Sequence, residues 1–170
     1  MAEYFDLYDK NRVKTGMIHQ RGEPPVEGVY ALVVNVWIMN SKDELLLAQR
    51  HYNKANYGGL WECAASGMVL AGEDSLQGAL RETKEEIGVD LLPSEGLFLE
   101  TLFREDSIRD TFLFRKDISI GELTLQPDEV IDVKWVTKLE YERMCKEGLV
   151  AAPTRNFWEI YHSSDVFNCK

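Results

Sequence analysis

The stretch Gly67–Val89, GMVLAGEDSLQGALRETKEEIGV, governs the reading of the whole chain. Its second half has helical periodicity, with Leu76, Leu80, Thr83 and Ile87 spaced as the core-facing side of an α-helix. Each residue turns such a helix by about 100°, so Glu86 falls about 40° from Glu82 and Glu85 about 60° to its other side. The three carboxylates therefore form one acidic stripe beside the apolar one. Gly67 and Gly72 are expected to allow a tight loop ahead of the helix, with Asp74 or Ser75 capping its first turn. Glu73 and Arg81 carry opposite charges and are placed to pair across the junction of loop and helix. Gly88 fits a helix-ending position that a side chain would strain.

Carboxylates this close repel one another unless a cation lies among them. Hard oxygen donors suit Mg²⁺ or Mn²⁺, and Mg²⁺ completes its shell with waters and substrate phosphates. The competing reading is a solvated acidic helix face, which is common when such a stripe stands alone.

The chain has 170 residues, enough for a single domain with a full hydrophobic core. Its 45% hydrophobic and 28% charged content is that of an ordinary globular protein. A net charge of −10 argues against broad binding to nucleic-acid polymers or anionic membranes. A polyphosphate can still be bound if metal ions and a few local basic residues offset that field. No apolar run approaches the length of a transmembrane helix, and residues 1–10 lack the character of a signal peptide. Cys63, Cys145 and Cys169 have neither metal-ligand spacing nor an even count for disulfides, so a reducing, cytoplasmic setting is expected.

Residues 1–29 read as an N-terminal extension of one domain spanning residues 1–170. Within it, EYFDLYD and VKTGMIHQ are strand candidates joined by the turn Asp9-Lys10-Asn11-Arg12. His19 is assigned no role. Tyr30–Met39, YALVVNVWIM, has the composition of a strand buried on both faces, and ELLLAQR (44–50) is its expected hairpin partner. Arg50, with His51 and Lys54, forms either a basic lip that touches substrate phosphates or an ordinary solvated loop. Trp61 reads as core, and Cys63 as a buried, inert thiol. Residues 96–105 and 110–118 read as strands around a polar loop, Asp106-Ser107-Ile108-Arg109, where substrate choice would reside. VIDVKWV (130–136) reads as a last strand introduced by Glu129. Thr137 to Gly148 reads as a helix, and Pro153 as the start of a C-terminal one.

The order Gly67, Glu73, Arg81-Glu82, Glu85-Glu86 and Gly88-Val89 resembles the signature of the Nudix hydrolase superfamily, G-x5-E-x7-R-E-U-x-E-E-x-G-U, where U is bulky and aliphatic. Every fixed residue is present, and the single departure is Thr83 at the first U position. That specificity displaces the solvated-face reading. The resemblance implies an α+β Nudix fold, a mixed β-sheet between α-helices. It also implies Mg²⁺-dependent hydrolysis, with Mn²⁺ able to substitute, of a diphosphate linkage in a nucleoside diphosphate derivative or related compound. Carried over residue by residue, Glu82, Glu85 and Glu86 are the expected metal-binding and catalytic carboxylates, with the carbonyl of Ser66 as a further ligand. Glu73 and Arg81 orient the loop, together with Gly67 and Gly88 as structural positions. Arg50 and Lys54 would contact substrate, and Glu129 would help bind metal or activate water, unless it is only a surface charge at the entry to a strand. The partner implied is a small diphosphate, and the protein could act alone or as a homodimer.

Two rivals remain at this stage. Isopentenyl diphosphate isomerase shares the fold, and the N-terminal arm, WECAASG and the Arg50 region are similar to that branch. The isomerase, however, carries a cysteine where this chain has Ser66 and a metal-binding histidine where it has Tyr30, and its box glutamates are altered. The other rival is a non-catalytic Nudix module that senses a nucleotide or metabolite, for which an intact acidic stripe has no purpose.

Overall fold

The apolar run Tyr30–Met39 lies at the centre of a nine-stranded mixed sheet. The computed structural model describes residues 2–164, and Cys169 lies outside them. In chain order the strands are β1 (Tyr4–Tyr8), β2 (Lys14–Gln20), β3 (Tyr30–Met39), β4 (Leu45–Arg50), β5 (Trp61–Glu62), β6 (Ala65–Met68), β7 (Leu97–Phe103), β8 (Ser107–Arg115) and β9 (Val130–Val136). The helices are α1 (Ser75–Ile87), α2 (Lys138–Lys146) and α3 (Phe157–Ser163).

β8 runs parallel to β3 along its whole length, from Ala31↔Ser107 to Met39↔Arg115. The other edge of β3 is shared in turn by β1, by antiparallel β6 and, at Met39 alone, by β4. The expected β3–β4 hairpin therefore exists only at its turn. β4 diverges and takes β9 and β5 as its antiparallel partners. The turn is closed by Asn40, whose side-chain oxygen accepts from the amides of Lys42 and Glu44 at 2.9 Å.

Alternation along β3 sends its side chains into two cores. Val34, Val36 and Ile38 meet Ala79 and Ile87 of α1, with Leu76 and Leu80 packed at the margin as the helical spacing requires. Trp37 and Met39 meet Tyr141 and Met144 of α2 and Phe157, Ile160 and Tyr161 of α3. The sheet is thus covered by α1 on one face and by α2 and α3 on the other, the α+β arrangement expected. Val34, Val36, Ile38 and Met39 are wholly buried. Burial at that level stabilises by roughly 1.5–3 kcal/mol per side chain.

Three expectations about the chain's course need correction. Asp106-Ser107-Ile108-Arg109 is not a loop, because β8 already begins at Ser107. The strand continues through the neighbouring Asp110, which is fully buried against the guanidinium of Arg12 and bonded to Thr101 at 2.7 Å. The C-terminal helix does not start at Pro153, which lies in a single 3-10 turn, Ala152–Thr154, ahead of α3. Gly67 lies within β6 and not in a loop; Gly72, at φ +89°, provides the turn before α1.

Candidate active site

α1 is held at both ends by its own sequence. Asp74 accepts from the amide of Gln77 at 2.8 Å, and Gln77 returns the bond by accepting from the amide of Asp74 at 2.9 Å. Gly88 ends the helix at φ +77°, donating its amide to the carbonyl of Lys84. The hydroxyl of Thr83 donates to the carbonyl of Ala79 at 2.7 Å, so the polar atom placed against the core is satisfied.

Arg81 organises the junction of loop and helix. Its Nε donates to Glu73 Oε1 at 2.8 Å and its Nη2 to Glu73 Oε2 at 3.1 Å and to the carbonyl of Met68 at 2.8 Å. Nη1 reaches Glu82 Oε1 and Glu85 Oε2, both at 2.9 Å. One guanidinium therefore fixes the loop, the end of β6 and two carboxylates of the acidic stripe.

The stripe itself is unequal. Glu82 and Glu86 are buried, and Glu85 is exposed. The Glu82 carboxylate lies directly over Gly67, where any Cβ would overlap it. Burial drives the Glu82 carboxyl up to about 7, against the opposing pull of Arg81. Glu86 is pushed well above the usual carboxylate range, first by burial and then by the charges of Glu62 and Glu82, although the Ser66 amide donates to it at 3.2 Å. Two desolvated carboxylates against a strand edge form a site where added positive charge is favourable.

These groups open onto a cleft of about 380 Å³. Glu82, Glu85, Glu86, Ser66 and Gly67 line one part of it; Arg50, Lys54 and Glu129 line another. The expected site residues that face the cleft are thus brought together from β4, β6, α1 and the approach to β9, with Glu73, Arg81 and Gly88 supporting α1 from outside it. The expected basic lip is present, but its charges are already matched. Arg50 pairs with Glu62 of β5, and Lys54 pairs with Glu129. His51 is not among the lining residues. Its amide and its ring nitrogen bond to backbone nearby, to the carbonyl of Glu129 and from the amide of Asn53.

Sequence reasoning missed Glu62, Asn35 and the Glu3–Arg21 pair and set Arg109 in a substrate-choosing loop instead of a strand; all of them line the cleft. Arg109 carried a readable signal, being a cation within alternating residues of a strand, but it was hidden by the reading of its segment as a loop. A second cavity of about 180 Å³ under the β1–β2 hairpin adjoins the cleft and shares Arg21 and Met68 with it. It is lined mainly by apolar groups, among them Phe5, Leu7 and Val26.

Among the described residues, no three His, Cys, Asp or Glu side chains are gathered tightly enough to enclose an ion unaided. Arg81 holds Glu82 and Glu85 from one side. The donor set nonetheless fits Mg²⁺ or Mn²⁺, which bind through one or two carboxylates plus waters and substrate phosphates and need no all-protein cage. The overlap of any Gly67 side chain with Glu82 shows that backbone space has been cleared for that carboxylate.

The fold and the acidic helix define a class. Residues 29–155 match the NUDIX domain family. The chain is 35% identical over 170 residues to a Nudix hydrolase of Listeria monocytogenes, covering 99% of this chain and 95% of that protein. It therefore belongs to the Nudix family, and its likeness to Nudix hydrolases makes it an enzyme of the pyrophosphohydrolase class. An isopentenyl-diphosphate Delta-isomerase of Shigella flexneri is more distant, 25% identical with 79% of this chain and 76% of that one covered. Among solved structures, a Deinococcus radiodurans protein, DR0079, superposes with a TM-score of 0.75 at 20% identity, covering 95% of this chain and 99% of that one. A bifunctional NMN adenylyltransferase/ADP ribose pyrophosphatase from Francisella tularensis, complexed with AMP and a Mn ion, superposes with a TM-score of 0.62 at 19% identity. It covers 86% of this chain and 44% of that one. Both superpositions concern the fold.

Proposed function

We propose that this protein is a Mg²⁺-dependent hydrolase, with Mn²⁺ as a substitute, that cleaves the diphosphate linkage of a nucleoside diphosphate derivative or a related small compound. The observation that carries the reading is the pair of buried carboxylates, Glu82 and Glu86, set against the open side of β6 in a cleft that also holds basic side chains. Glu82, Glu85 and Glu86 would hold the metal, with the Ser66 carbonyl beside them. When bound, such an ion polarises phosphoryl oxygens and lowers the pKa of water.

The remaining work falls to the chain's own groups. Arg81 keeps Glu82 and Glu85 in place through shared hydrogen bonds. One of the stripe's carboxylates, or Glu129 across the cleft, would accept the proton released when water attacks phosphorus. Arg50 and Lys54 line the same cleft and would contact the substrate's phosphates. The adjoining apolar cavity gives room for the part of the substrate that is not phosphate. The isomerase reading is not favoured, since Ser66 and Tyr30 stand where that enzyme's cysteine and histidine would be. We further propose that residues 1–170 act as one Nudix domain, with 1–29 as its extension, in the cytoplasm. Free thiols at Cys63 and Cys145 support that compartment. No helix among the described residues is long and apolar enough to cross a membrane.

The test is release of phosphate or nucleotide from nucleotide sugars, ADP-ribose, dinucleoside polyphosphates, nucleoside triphosphates and isopentenyl diphosphate. Each is assayed with Mg²⁺, with Mn²⁺ and with chelator. Metal-dependent cleavage is expected for at least one compound, with a large loss of rate in Glu86→Gln. Isomerisation without cleavage, near-normal turnover in that variant, or nucleotide binding with no turnover on any compound would overturn the reading.

A further inference from the structure

Three of the four cations lining the cleft are paired with a carboxylate: Arg21 with Glu3, Arg50 with Glu62 and Lys54 with Glu129. The side chain of the fourth, Arg109, has no hydrogen bond or ion pair among the described residues, and its Nε is buried without a partner. A guanidinium is costly to withdraw from water unless its donors are met. Burial does act on this one, pushing its affinity for a proton below the ordinary arginine level. The carboxylate whose field reaches it, Glu62, is already bonded to Arg50.

The placement is firm. Arg109 stands on β8 opposite Val33 of the parallel neighbour β3, and Val33 and Asn35 line the same cleft. The adjacent residues Ile108 and Asp110 are fully buried, the latter tied to Arg12, so the backbone carrying Arg109 is anchored on both sides. A planar, always-charged fork on a rigid strand, with its donors unmet, matches two oxygens of a phosphate.

We propose that Arg109 is a substrate-binding residue that grips one phosphate of the diphosphate from the β8 side of the cleft. This rests on the reading of the site as one for phosphoanhydrides. Two linked phosphates then have separate holders, one at the acidic stripe and one at β8.

The test uses inorganic pyrophosphate with Mg²⁺ as the probe, its affinity read from the shift in thermal unfolding of the wild type and of Arg109→Met and Arg109→Lys. Pyrophosphate affinity is expected to fall by about tenfold or more in Arg109→Met and by less in Arg109→Lys, which keeps charge but loses the fork. Without ligand, Arg109→Met should unfold no lower than the wild type, since it removes an unsatisfied buried group; a structural role would lower it. On any compound the wild type cleaves, KM should rise more than kcat falls. Equal pyrophosphate shifts in wild type and Arg109→Met, or none in the wild type, would overturn the proposal, even where the wild type cleaves a diphosphate. Loss of the shift in the variant, with no compound cleaved by the wild type, would leave the Arg109 contact standing and remove the hydrolase reading instead.

Discussion

The carboxylate of Glu82 occupies the space where a side chain on Gly67 would begin. Gly67→Ala must push that carboxylate aside, because β6 is fixed to β3 at Val34 and α1 by its caps, leaving the end of the Glu82 side chain as the part that moves. The variant is expected to cost about 1–3 kcal/mol in stability and to lower kcat by roughly 100-fold or more as Glu82 is displaced. Turnover and unfolding measured together check this. An alanine enzyme with unchanged kcat would show that the position of Glu82 does not matter.

The raised Glu82 carboxyl makes the stability of the metal-free protein depend on pH. Its ordinary value of 4.5 rises to about 7 on folding, so between those values the folded protein binds more protons than the unfolded one. The contribution is fully present below about pH 4.5 and is lost as pH rises through about 7. Glu82→Gln, neutral throughout, should therefore gain most over the wild type near pH 8, and the difference should shrink toward pH 5. Divalent metal should stabilise the wild type more at the alkaline end. A difference that does not vary with pH would refute the assignment.

Arg12, in the β1–β2 turn at φ +62°, ties the N-terminal hairpin to Asp110 and Thr101 of the β7–β8 pair. Its own side chain is 34% exposed, whereas that of Asp110 is fully buried. Removal of Arg12 leaves a buried, uncompensated carboxylate, and Arg12→Ala should cost about 3 kcal/mol. Asp110→Asn keeps one oxygen to accept from Arg12 Nη1 and Thr101 and loses the bond to Arg12 Nη2, but it buries no uncompensated charge and should cost less. Urea midpoints of the two variants give the order, and the reverse order would contradict it.

Thr83 departs from the aliphatic residue of the family signature, yet its hydroxyl is bonded within its own helix. Thr83→Val removes a donor and leaves the Ala79 carbonyl in the helical ladder, so it should change stability by less than about 1 kcal/mol. Turnover should be unaffected. A loss of several kcal/mol would mean that the hydroxyl has a further role.

The acidic helix was legible because its information is local. Asp74, Gln77, Leu80, Glu82 and Glu86 sit at fixed helical offsets, and so did the pairing of Glu73 with Arg81. What stayed hidden depends on contacts between elements. Gly67 looks like a loop glycine until Glu82, a helix away, is found above it. Arg109 looks like a loop residue until it is seen to face the cleft, and Asp110 like the polar start of a strand until it is seen to meet Arg12. The partners of Arg50 and Lys54, namely Glu62 and Glu129, follow from the placement of β4 between β5 and β9, which no spacing rule encodes. These failures cluster where polar residues are held inside a sheet, as expected when function overrides local pattern.

The parallel pairing of β3 with β8 also sets a clock. β3 leaves the ribosome as an almost wholly apolar segment, but the strand that covers one whole edge of it begins only at Ser107. Until that later segment is made, the centre of the future sheet has an open edge, and early partners β1 and β6 cover only parts of the other. Such distant pairing slows folding and prolongs exposure to aggregation. The strand at the centre of the finished sheet therefore spends much of synthesis with one edge uncovered.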